Sequence, residues 1–324
     1  MVHAIRFHEA GGPEVMKWEE VEVGDPGPGE IRVKQTAAGL NFIDIYLRSG
    51  ARPVPMPNGL GLEGAGKIVA VGEGVTDLAV GDRIGYADMP MGAYAEERVM
   101  PAKIAVKLPD GISDEQAAGM MLKGMTVQFL IKSCFPVEKG STVLWHAAAG
   151  GVGLIACQWL NHLGVTVIGT VGSAEKAELA KAHGCHHTIN YAEENFVERV
   201  KELTDGAGVP VVYDSVGKDT LRGSMECLQR RGYLISFGNA SGAPEPVELS
   251  ELSAHGSIFA ARPVLFDFIA ERDELLACAG DLFDVVSSGA VKIEVNQTYP
   301  MSETIQAHKD LVARKTTGST ILIA

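Results

Sequence analysis

One segment, Thr142–Gly153, constrains the fold of this chain more than any other. An apolar run long enough for a buried strand ends there in a turn of small residues. A helical pattern of apolar residues follows at once, at positions 152, 155, 156, 159, 160 and 163. A strand, a glycine turn and a helix in this order bring backbone N–H groups and a helix N-terminus to a pyrophosphate. We therefore expect Gly150, Gly151 and Val152 to contact a dinucleotide.

The same segment departs from the usual G-x-G-x-x-G pattern, because Ala148 holds the first glycine position. A tight turn from strand to helix, with no ligand, explains the motif alone equally well.

The residues after the next predicted strand, Val165–Val171, decide between the two common dinucleotides. NAD-binding units place an acidic residue roughly 20 residues past the glycines, where it holds the ribose 2′-hydroxyl. Here Gly172, Ser173 and Lys176 offer space, a hydroxyl and a cation, which suit the 2′-phosphate of NADP. Glu175 is discordant, and we expect it to point away. Taken singly, Ser173 is better explained as a helix cap and Lys176 as a solvated charge.

Strands and helices continue to alternate as far as residue 261. We predict strands over 187–190, 210–215, 232–237 and 257–261, and helices over 174–183, 193–203 and 220–230. Such alternation indicates an α/β fold with a Rossmann-type, doubly wound parallel sheet. Ligands bind at the carboxyl ends of the strands in these sheets. The residues expected at that edge are Ser215, Val216, Gly217, Phe237, Gly238, Asn239 and Ser241.

The first 122 residues have a different pattern, with short strands separated by turns rich in glycine and proline. Near residue 262 the α/β alternation ends, a largely helical stretch covers 266–289, and a last strand covers 320–323. We therefore predict a mostly β domain formed by residues 1–122 and 265–324, and a dinucleotide-binding domain formed by residues 123–264.

Composition excludes several classes of function. The 324 residues carry a net charge of −13 with no basic run, which argues against a nucleic-acid partner. No apolar stretch approaches the roughly 20 residues of a membrane-spanning helix, and the N-terminus does not resemble a signal peptide. The five cysteines are scattered and never spaced C-x-x-C, so we expect reduced thiols in a cytoplasmic protein and no structural metal.

Six short motifs are spread over the whole chain: 41–46 (NFIDIY), 61–66 (GLEGAG), 80–83 (VGDR), 147–153 (AAAGGVG), 213–217 (YDSVG) and 237–239 (FGN). Together they resemble the quinone oxidoreductases related to ζ-crystallin, in the medium-chain dehydrogenase/reductase superfamily, and the bacterial NADPH:quinone reductases above all. The resemblance implies that the mostly β domain is a GroES-like catalytic domain, and that NADPH is the cofactor.

The comparison with the zinc alcohol dehydrogenases of that superfamily points to a metal-free site. Those enzymes carry Cys where this chain has Asn41, and Gly-His-Glu where it has Gly61, Leu62 and Glu63. Leucine cannot ligate zinc, and an asparagine amide is a poor substitute for a thiolate. We therefore expect no zinc, and we interpret Glu63 as a structural carboxylate.

The resemblance also implies further site residues. Beside the nicotinamide it places the segment Asn41, Phe42, Ile43, Asp44, Ile45 and Tyr46, with Lys123, Thr126 and Phe129 nearby. It places Arg262 and Arg314 close to the cofactor, and Tyr191 and Lys176 at the adenosine phosphate.

The sequence allows more than one role for several of these residues. Tyr46 either donates a hydrogen bond to a substrate oxygen or stacks on a quinone, and a core tyrosine explains it equally well. Asn41 either bonds to cofactor or substrate or caps the helix that follows. Asp44 orients a neighbour or a ribose and is not a general acid. Arg48 is interpreted as a solvated cation, and His146 as a structural histidine.

Hydride transfer to a quinone needs no strong Lewis acid, because the ring becomes aromatic as charge arrives. The first hypothesis is therefore an NADPH-dependent quinone reductase. An NADPH-dependent reductase of enal or enone double bonds is the alternative on the same fold. A third hypothesis, of another class, is a crystallin-like or RNA-binding protein that binds nucleotide without turnover. We also expect a homodimer, because the strand predicted at 257–261 lies at a sheet edge.

Overall fold

The computed structural model describes residues 1–324. The chain divides into two units: unit 1 comprises Met1–Met125, Ile269–Ser287 and Ile293–Ala324, and unit 2 comprises Thr126–Phe268 and Ser288–Lys292. No helix combines the length and the apolar character needed to cross a bilayer.

The strands, in chain order, are β1 (Val2–Phe7), β2 (Met16–Val21), β3 (Glu30–Gly39), β4 (Asn58–Gly59), β5 (Glu63–Val71), β6 (Arg83–Ala87), β7 (Glu97–Pro101), β8 (Ala105–Lys107), β9 (Thr142–Trp145), β10 (Thr166–Val171), β11 (His187–Asn190), β12 (Val209–Asp214), β13 (Leu228–Ser236), β14 (Phe259–Ala261), β15 (Val295–Pro300) and β16 (Ser319–Ile323). The α-helices are α1 (Phe42–Arg48), α2 (Asp114–Gln128), α3 (Gly151–His162), α4 (Ala174–Ala182), α5 (Phe196–Leu203), α6 (Leu221–Glu226), α7 (Leu249–Ala254), α8 (Leu265–Phe268), α9 (Arg272–Ser287) and α10 (Thr304–Val312).

Unit 2 is built on a six-stranded sheet in the order β11-β10-β9-β12-β13-β14, and every neighbouring pair is parallel. The chain fills one side of the sheet from β9 to β11 and then crosses to β12 on the other side. The predicted doubly wound parallel sheet is thus confirmed. In such a sheet the ligand crevice lies where the order reverses, at the carboxyl ends of β9 and β12.

Strand β9 lies at the centre of this sheet because its side chains tolerate burial on both faces. Val143, Leu144 and Trp145 are completely buried, and the Trp145 ring lies 4.6 Å from that of Tyr213 on β12. At the other extreme, all three residues of β14 are exposed, so this strand forms an open edge.

Unit 1 is mostly β, as the first 122 residues predict. A seven-stranded sheet follows the order β15-β16-β3-β5-β6-β8, with β7 also paired to β3, and a second sheet has the order β2-β1-β4. Strand β3 is central because it pairs with β16, β5 and β7. The last strand of the chain therefore returns to the sheet formed by the first residues.

Helix α2 shows how well local signals locate a helix start. The Ser113 hydroxyl accepts a hydrogen bond from the Gln116 N–H at 3.1 Å, and the Gln116 side chain accepts one from the Ser113 N–H at 3.1 Å. This reciprocal capping explains the start at Asp114. A π-helical turn, Phe129–Cys134, continues the helix after Gln128. The first three residues of this turn are buried, so packing stabilises the continuation.

Candidate functional site

The glycine turn after β9 is shaped by its own backbone. Ala147 has a positive φ of 54°, and the Gly150 N–H donates to the Ala147 carbonyl at 3.0 Å. A Cβ at Gly153 would lie 2.4 Å from the Ala147 oxygen and 2.6 Å from the Ala148 oxygen, so only glycine fits. Helix α3 begins at Gly151, and the N–H groups of its first turn have no acceptor within the helix. These groups could bind a phosphate, whereas the Gly150 N–H already closes the turn.

The residues after β10 converge as expected for the adenosine end of a dinucleotide. A Cβ at Gly172 would lie 2.8 Å from the Tyr191 hydroxyl, so the tyrosine reaches across this glycine. Ser173 caps α4, and its hydroxyl oxygen accepts a hydrogen bond from the Lys176 N–H at 3.3 Å. The Tyr191 phenol and the Ser173 hydroxyl therefore lie beside Gly172 and the first turn of α4, which carries Lys176.

Glu175 is a correction to the sequence analysis. Its own backbone N–H and, second, the Ser173 hydroxyl bond to its carboxylate and lower the pKa of Glu175. The side chain therefore does not point away from Ser173, because the serine hydroxyl supplies it with a nearby donor.

Asp214, the last residue of β12, organises the next turn. Its Oδ1 atom accepts hydrogen bonds from the N–H groups of Val216 at 2.9 Å and Gly217 at 3.0 Å. The hydroxyl of Thr220, just before α6, and that of Ser224, within α6, donate to the same carboxylate at 2.8 Å. Four donors thus hold a carboxylate that is fully buried, and the turn after β12 is fixed by it.

The loop after β13 packs directly on this turn. A Cβ at Gly238 would lie 2.5 Å from the Ser215 oxygen, so the two backbones are in close contact. The N–H and hydroxyl of Ser241 both donate to the Val216 carbonyl at 2.9 Å. Arg262 reaches the same edge, where its guanidinium donates to the Ser236 carbonyl at 2.7 Å. The structure thus gathers the predicted residues Ser215, Val216, Phe237, Gly238, Asn239, Ser241 and Arg262 at one edge of the sheet.

His146 is a structural residue, in agreement with its interpretation from sequence. Its ring nitrogens lie 2.8 Å from the Thr170 hydroxyl and 2.9 Å from the Ser224 hydroxyl. Burial lowers the pKa of His146, although the Asp214 carboxylate opposes that effect. Hydrogen bonds therefore connect β10, β9 and β12 through Thr170, His146, Ser224 and Asp214. Sequence reasoning missed this series of hydrogen bonds. Its only signal in the sequence is a Thr and a Ser, six and ten residues after Asp214.

In unit 1, Asn41 and Asp44 define the start of helix α1. The Asn41 N–H donates to Asp44 Oδ2 at 2.9 Å, and the Tyr94 hydroxyl donates to the same oxygen at 2.7 Å. Burial, the largest effect, raises the pKa of Asp44 to about 7. The capping interpretation of this segment is thus correct. Phe42, Ile43, Ile45 and Tyr46 are half-buried.

Glu63 joins Asn41 to Lys123. Glu63 Oε2 accepts hydrogen bonds from Asn41 Nδ2 at 2.8 Å and from Lys123 Nζ at 2.9 Å, and Oε1 accepts one from the Leu122 N–H at 2.7 Å. Both charged partners are buried, with Lys123 only 5% exposed. Sequence reasoning did not find this ion pair, because 60 residues separate its members and no local pattern links them.

A zinc ion does not fit this donor set. Leu62 is completely buried and has no donor atom, and both Glu63 oxygens already accept hydrogen bonds. An ammonium stands beside Glu63 and would repel a divalent cation. No group of three or more His, Cys, Asp or Glu side chains is arranged to hold a metal ion.

The remaining predicted residues are spread over both units. Phe129 is buried and its ring stacks on Phe268 at 4.6 Å, whereas Thr126 is half-buried. Arg314 is exposed in unit 1 and has a positive φ of 58°. Arg48 is a second correction: it is buried rather than solvated, because its guanidinium donates to the Gly11 carbonyl at 2.6 Å.

Comparison with known proteins places this architecture in a family. Residues 27–110 match the family described as "Alcohol dehydrogenase GroES-like domain", and residues 151–270 match "Zinc-binding dehydrogenase". The chain is 51% identical to a quinone oxidoreductase of Pseudomonas aeruginosa over the full length of both proteins. It is 48% identical to quinone oxidoreductase 1 of Escherichia coli, again over all of both chains.

The chain belongs to the quinone oxidoreductase family of the medium-chain dehydrogenases/reductases. Among solved structures, the Escherichia coli quinone oxidoreductase complexed with NADPH superposes with a TM-score of 0.98 at 47% identity, over 99% of this chain and 100% of that one. A 2-haloacrylate reductase from a Burkholderia species is 46% identical, over all of this chain and 99% of the relative. The resemblance inferred from the six motifs is thus confirmed.

Proposed function

We propose that this protein is an NADPH-dependent quinone reductase that transfers hydride from NADPH to a quinone without a metal ion. The observation that carries the proposal is the cluster around Glu63. Asn41 and Leu62 hold the positions of two zinc ligands of the zinc-dependent relatives, and Lys123 Nζ lies 2.9 Å from Glu63 Oε2. The dinucleotide-binding architecture is retained while the metal donors are replaced. Reduction of a quinone does not require the metal, since a quinone accepts hydride without a strong Lewis acid.

NADPH is proposed as the cofactor because relatives of the same architecture were crystallised with it. The residues proposed for the phosphates and the adenosine end are Gly150, Gly151, Val152, Gly172, Ser173, Lys176 and Tyr191. Those proposed for the rest of the dinucleotide are Ser215, Val216, Phe237, Gly238, Asn239, Ser241, Arg262, Arg314, Lys123, Thr126, Phe129 and the segment 41–45. Asn41 and Tyr46 are proposed to position the acceptor. Bound NADPH supplies the hydride, and the protein positions the acceptor for the transfer.

The same proposal assigns residues 123–264 to cofactor binding, and residues 1–122 with 265–324 to acceptor binding. It also includes a homodimer, a cytoplasmic location and no nucleic-acid partner. The net charge of −13 supports the last of these.

The experiment follows NADPH absorbance with a panel of acceptors. We expect oxidation of NADPH by 1,4-benzoquinone and a naphthoquinone, slower oxidation of NADH, and the same rates after treatment with a metal chelator. Chelator inhibition that zinc reverses would contradict the metal-free proposal, and failure of every quinone would contradict the activity.

A reductase of activated carbon–carbon double bonds is the second candidate. The 46% identity to a 2-haloacrylate reductase favours it specifically. A short 2-alkenal and a 2-haloacrylate belong in the same panel, because turnover of these compounds without turnover of quinones would select this alternative.

A further inference from the structure

The Glu63–Lys123 pair is costly for a structure to bury, so its presence calls for an explanation. Two opposite charges taken out of water are often no more stable than an apolar pair of the same volume. Here the carboxylate is completely buried and the lysine is 5% exposed. A merely structural contact between β5 and α2 could be made by apolar side chains.

The hydrogen bonds at this pair leave an excess of donors. Both Glu63 oxygens are occupied, by the Leu122 N–H, Asn41 Nδ2 and Lys123 Nζ. The ammonium has three N–H donors. Only one of them has an acceptor, Glu63 Oε2 at 2.9 Å. The Lys123 head group is thus held at a fixed position by one bond, with two charged donors left for a ligand atom.

We propose that Lys123 is a catalytic residue, which donates a hydrogen bond to the acceptor oxygen that becomes negative during reduction. This inference rests on the proposed function. A hydride leaves the dihydronicotinamide with its electron pair and bonds to the acceptor, whose oxygen takes up the negative charge. A proton from water then completes the hydroquinone, and the oxidised cofactor is released. The ammonium remains protonated and stabilises the oxyanion as it forms.

Glu63 is a positioning residue in this scheme. It fixes the ammonium through a short charge-assisted hydrogen bond, and Asn41 and the Leu122 N–H fix Glu63 in turn. Asn41 has a neutral amide, one of whose donors is already used by Glu63. Lys123 is therefore the stronger donor to a developing oxyanion.

The test compares the wild type with E63Q and the double variant K123M/E63Q. The double variant removes both charges, and so avoids the unpaired buried carboxylate that K123M alone would leave. We expect it to bind NADPH more weakly, because Lys123 is also among the residues proposed to contact the dinucleotide. With NADPH saturating, we expect it to lose on the order of 10²-fold in kcat with a quinone, as when one oxyanion donor is removed. We expect the loss to grow as the quinone becomes a weaker oxidant. E63Q keeps the ammonium but removes the carboxylate that positions it, so we expect its kcat to lie between those of the wild type and the double variant. Double-variant kcat equal to wild type, or E63Q as slow as the double variant, would overturn the inference.

A second readout needs no turnover. 4-Nitrophenol changes its absorbance on ionisation and mimics the oxygen of a reduced quinone. Bound to wild type in the presence of NADP, it should ionise at a lower pH than it does free, and the double variant should abolish that shift. An unshifted titration in wild type, or an equal shift in both proteins, would overturn the oxygen contact. If wild type itself turns over no quinone, the proposed function fails; if wild type is active and the variants match it, only the role of Lys123 fails.

Discussion

Ser173 serves the fold and the proposed site at once. Its oxygen accepts the Lys176 N–H and starts helix α4, while its hydroxyl also bonds to Glu175. Each contact taken singly is an ordinary helix cap, as the sequence suggests. The selectivity for NADP proposed here therefore depends on the lysine side chain and Tyr191 as well as on the serine.

Lys176→Ala is expected to weaken NADPH much more than NADH, because only NADPH carries the 2′-phosphate. Loss of one hydrogen bond between charged groups costs about 1.5–3 kcal/mol, or roughly 10- to 100-fold in affinity. Fluorescence titration with both cofactors measures the ratio. Lys181→Ala is the matched control, because Lys181 lies on the same helix and pairs with Glu178 at 2.9 Å. Equal losses for the two cofactors in K176A would refute the assignment.

Asp44 makes stability depend on pH. Burial raises the pKa of Asp44 from 3.8 to about 7, and its Oδ1 atom has no hydrogen-bond partner. The folded protein therefore keeps this proton between pH 4 and pH 7, while the unfolded chain loses it. The stability contributed by the protonated carboxyl is complete below pH 4 and is lost as the pH rises to about 7.

Asp44→Asn removes this titration and keeps an oxygen for Tyr94 and the Asn41 N–H. We expect the free energy of unfolding of the variant, relative to wild type, to rise between pH 4 and pH 7 and then level off. The rise is up to about 4 kcal/mol, from 1.4 kcal/mol per pKa unit. Urea unfolding at several pH values measures it. A difference that does not change with pH would show that Asp44 titrates normally.

Single residues were the least predictable part of the sequence. The sequence predicts that Arg48 is a solvated cation and that Glu175 points away. One instead bonds to the Gly11 carbonyl and the other to a hydroxyl two residues earlier. A side-chain direction depends on which partner the fold brings close, and neither composition nor periodicity contains that information.

At the scale of elements, the two glycines of the turn after β9 have different tasks. A Cβ at Gly153 meets two carbonyl oxygens at 2.4 and 2.6 Å, whereas one at Gly150 meets only the Ala147 oxygen at 3.3 Å. Gly153 is therefore needed for the helix to pack on the turn. We propose that Gly150 instead leaves room for a ligand to approach the backbone.

Gly153→Ala is accordingly expected to lower the free energy of unfolding by about 1–3 kcal/mol, the cost of overpacking. Thermal or urea unfolding measures the change. Gly280→Ala is the control, because Gly280 lies within helix α9 with no atom in the way of a Cβ and should gain about 0.5–1 kcal/mol. A G153A protein as stable as wild type would contradict the close approach.

Gly150→Val should instead fold and lose NADPH binding. Its Cβ would lie 3.3 Å from the Ala147 oxygen, a contact that a small shift relieves, and the side chain would lie where the pyrophosphate is proposed to bind. Circular dichroism checks the fold, and cofactor titration checks the binding. If G150V still binds NADPH, the pyrophosphate does not bind at this turn.

Most elements of unit 2 were predictable because they have a local signal. Helix α7 was not predicted, and residues 228–230, predicted as the end of a helix, begin strand β13. Strand β11 begins and ends as expected, and strand β12 differs by one residue at each end. Helix α5 begins three residues later than predicted, because the Asn195 side chain caps it at Val197. Alternation predicted the parallel sheet and the edge position of its last strand, but the pairing of Glu63 with Lys123 and of His146 with Ser224 required the folded chain.

At the scale of the whole molecule, the open edge of the unit 2 sheet supports the proposed homodimer. Strand β14 has exposed residues only, and Phe259 is 50% exposed while stacking on Tyr233 at 4.8 Å. Unpaired strand edges tend to be covered or paired in native proteins. A second copy of the chain offers the same edge and can continue the sheet.

Phe259→Lys is expected to weaken this dimer roughly tenfold or more, the effect of a buried aromatic anchor at an interface. Light scattering over a range of protein concentrations measures the mass. Val80→Lys is the control, because Val80 is an exposed apolar residue of unit 1 and is 61% exposed. A wild-type mass equal to one chain would rule the dimer out, and an unchanged mass for F259K would move the interface elsewhere.

Two properties of the cofactor site depend on different residues: the shape of the dinucleotide crevice and the preference for NADPH over NADH. The crevice shape depends on the hydrogen-bond chain from Thr170 through His146 and Ser224 to Asp214. This hydrogen-bond chain fixes the turns beneath the proposed dinucleotide crevice from inside the sheet, whereas the groups proposed to face the 2′-phosphate belong to the short stretches after β10 and β11. Exchanging these short stretches can change the preference between NADPH and NADH without disturbing the hydrogen bonds that fix the crevice. Conversion to an NADH-dependent enzyme therefore requires the exchange of short segments and not the redesign of a whole domain.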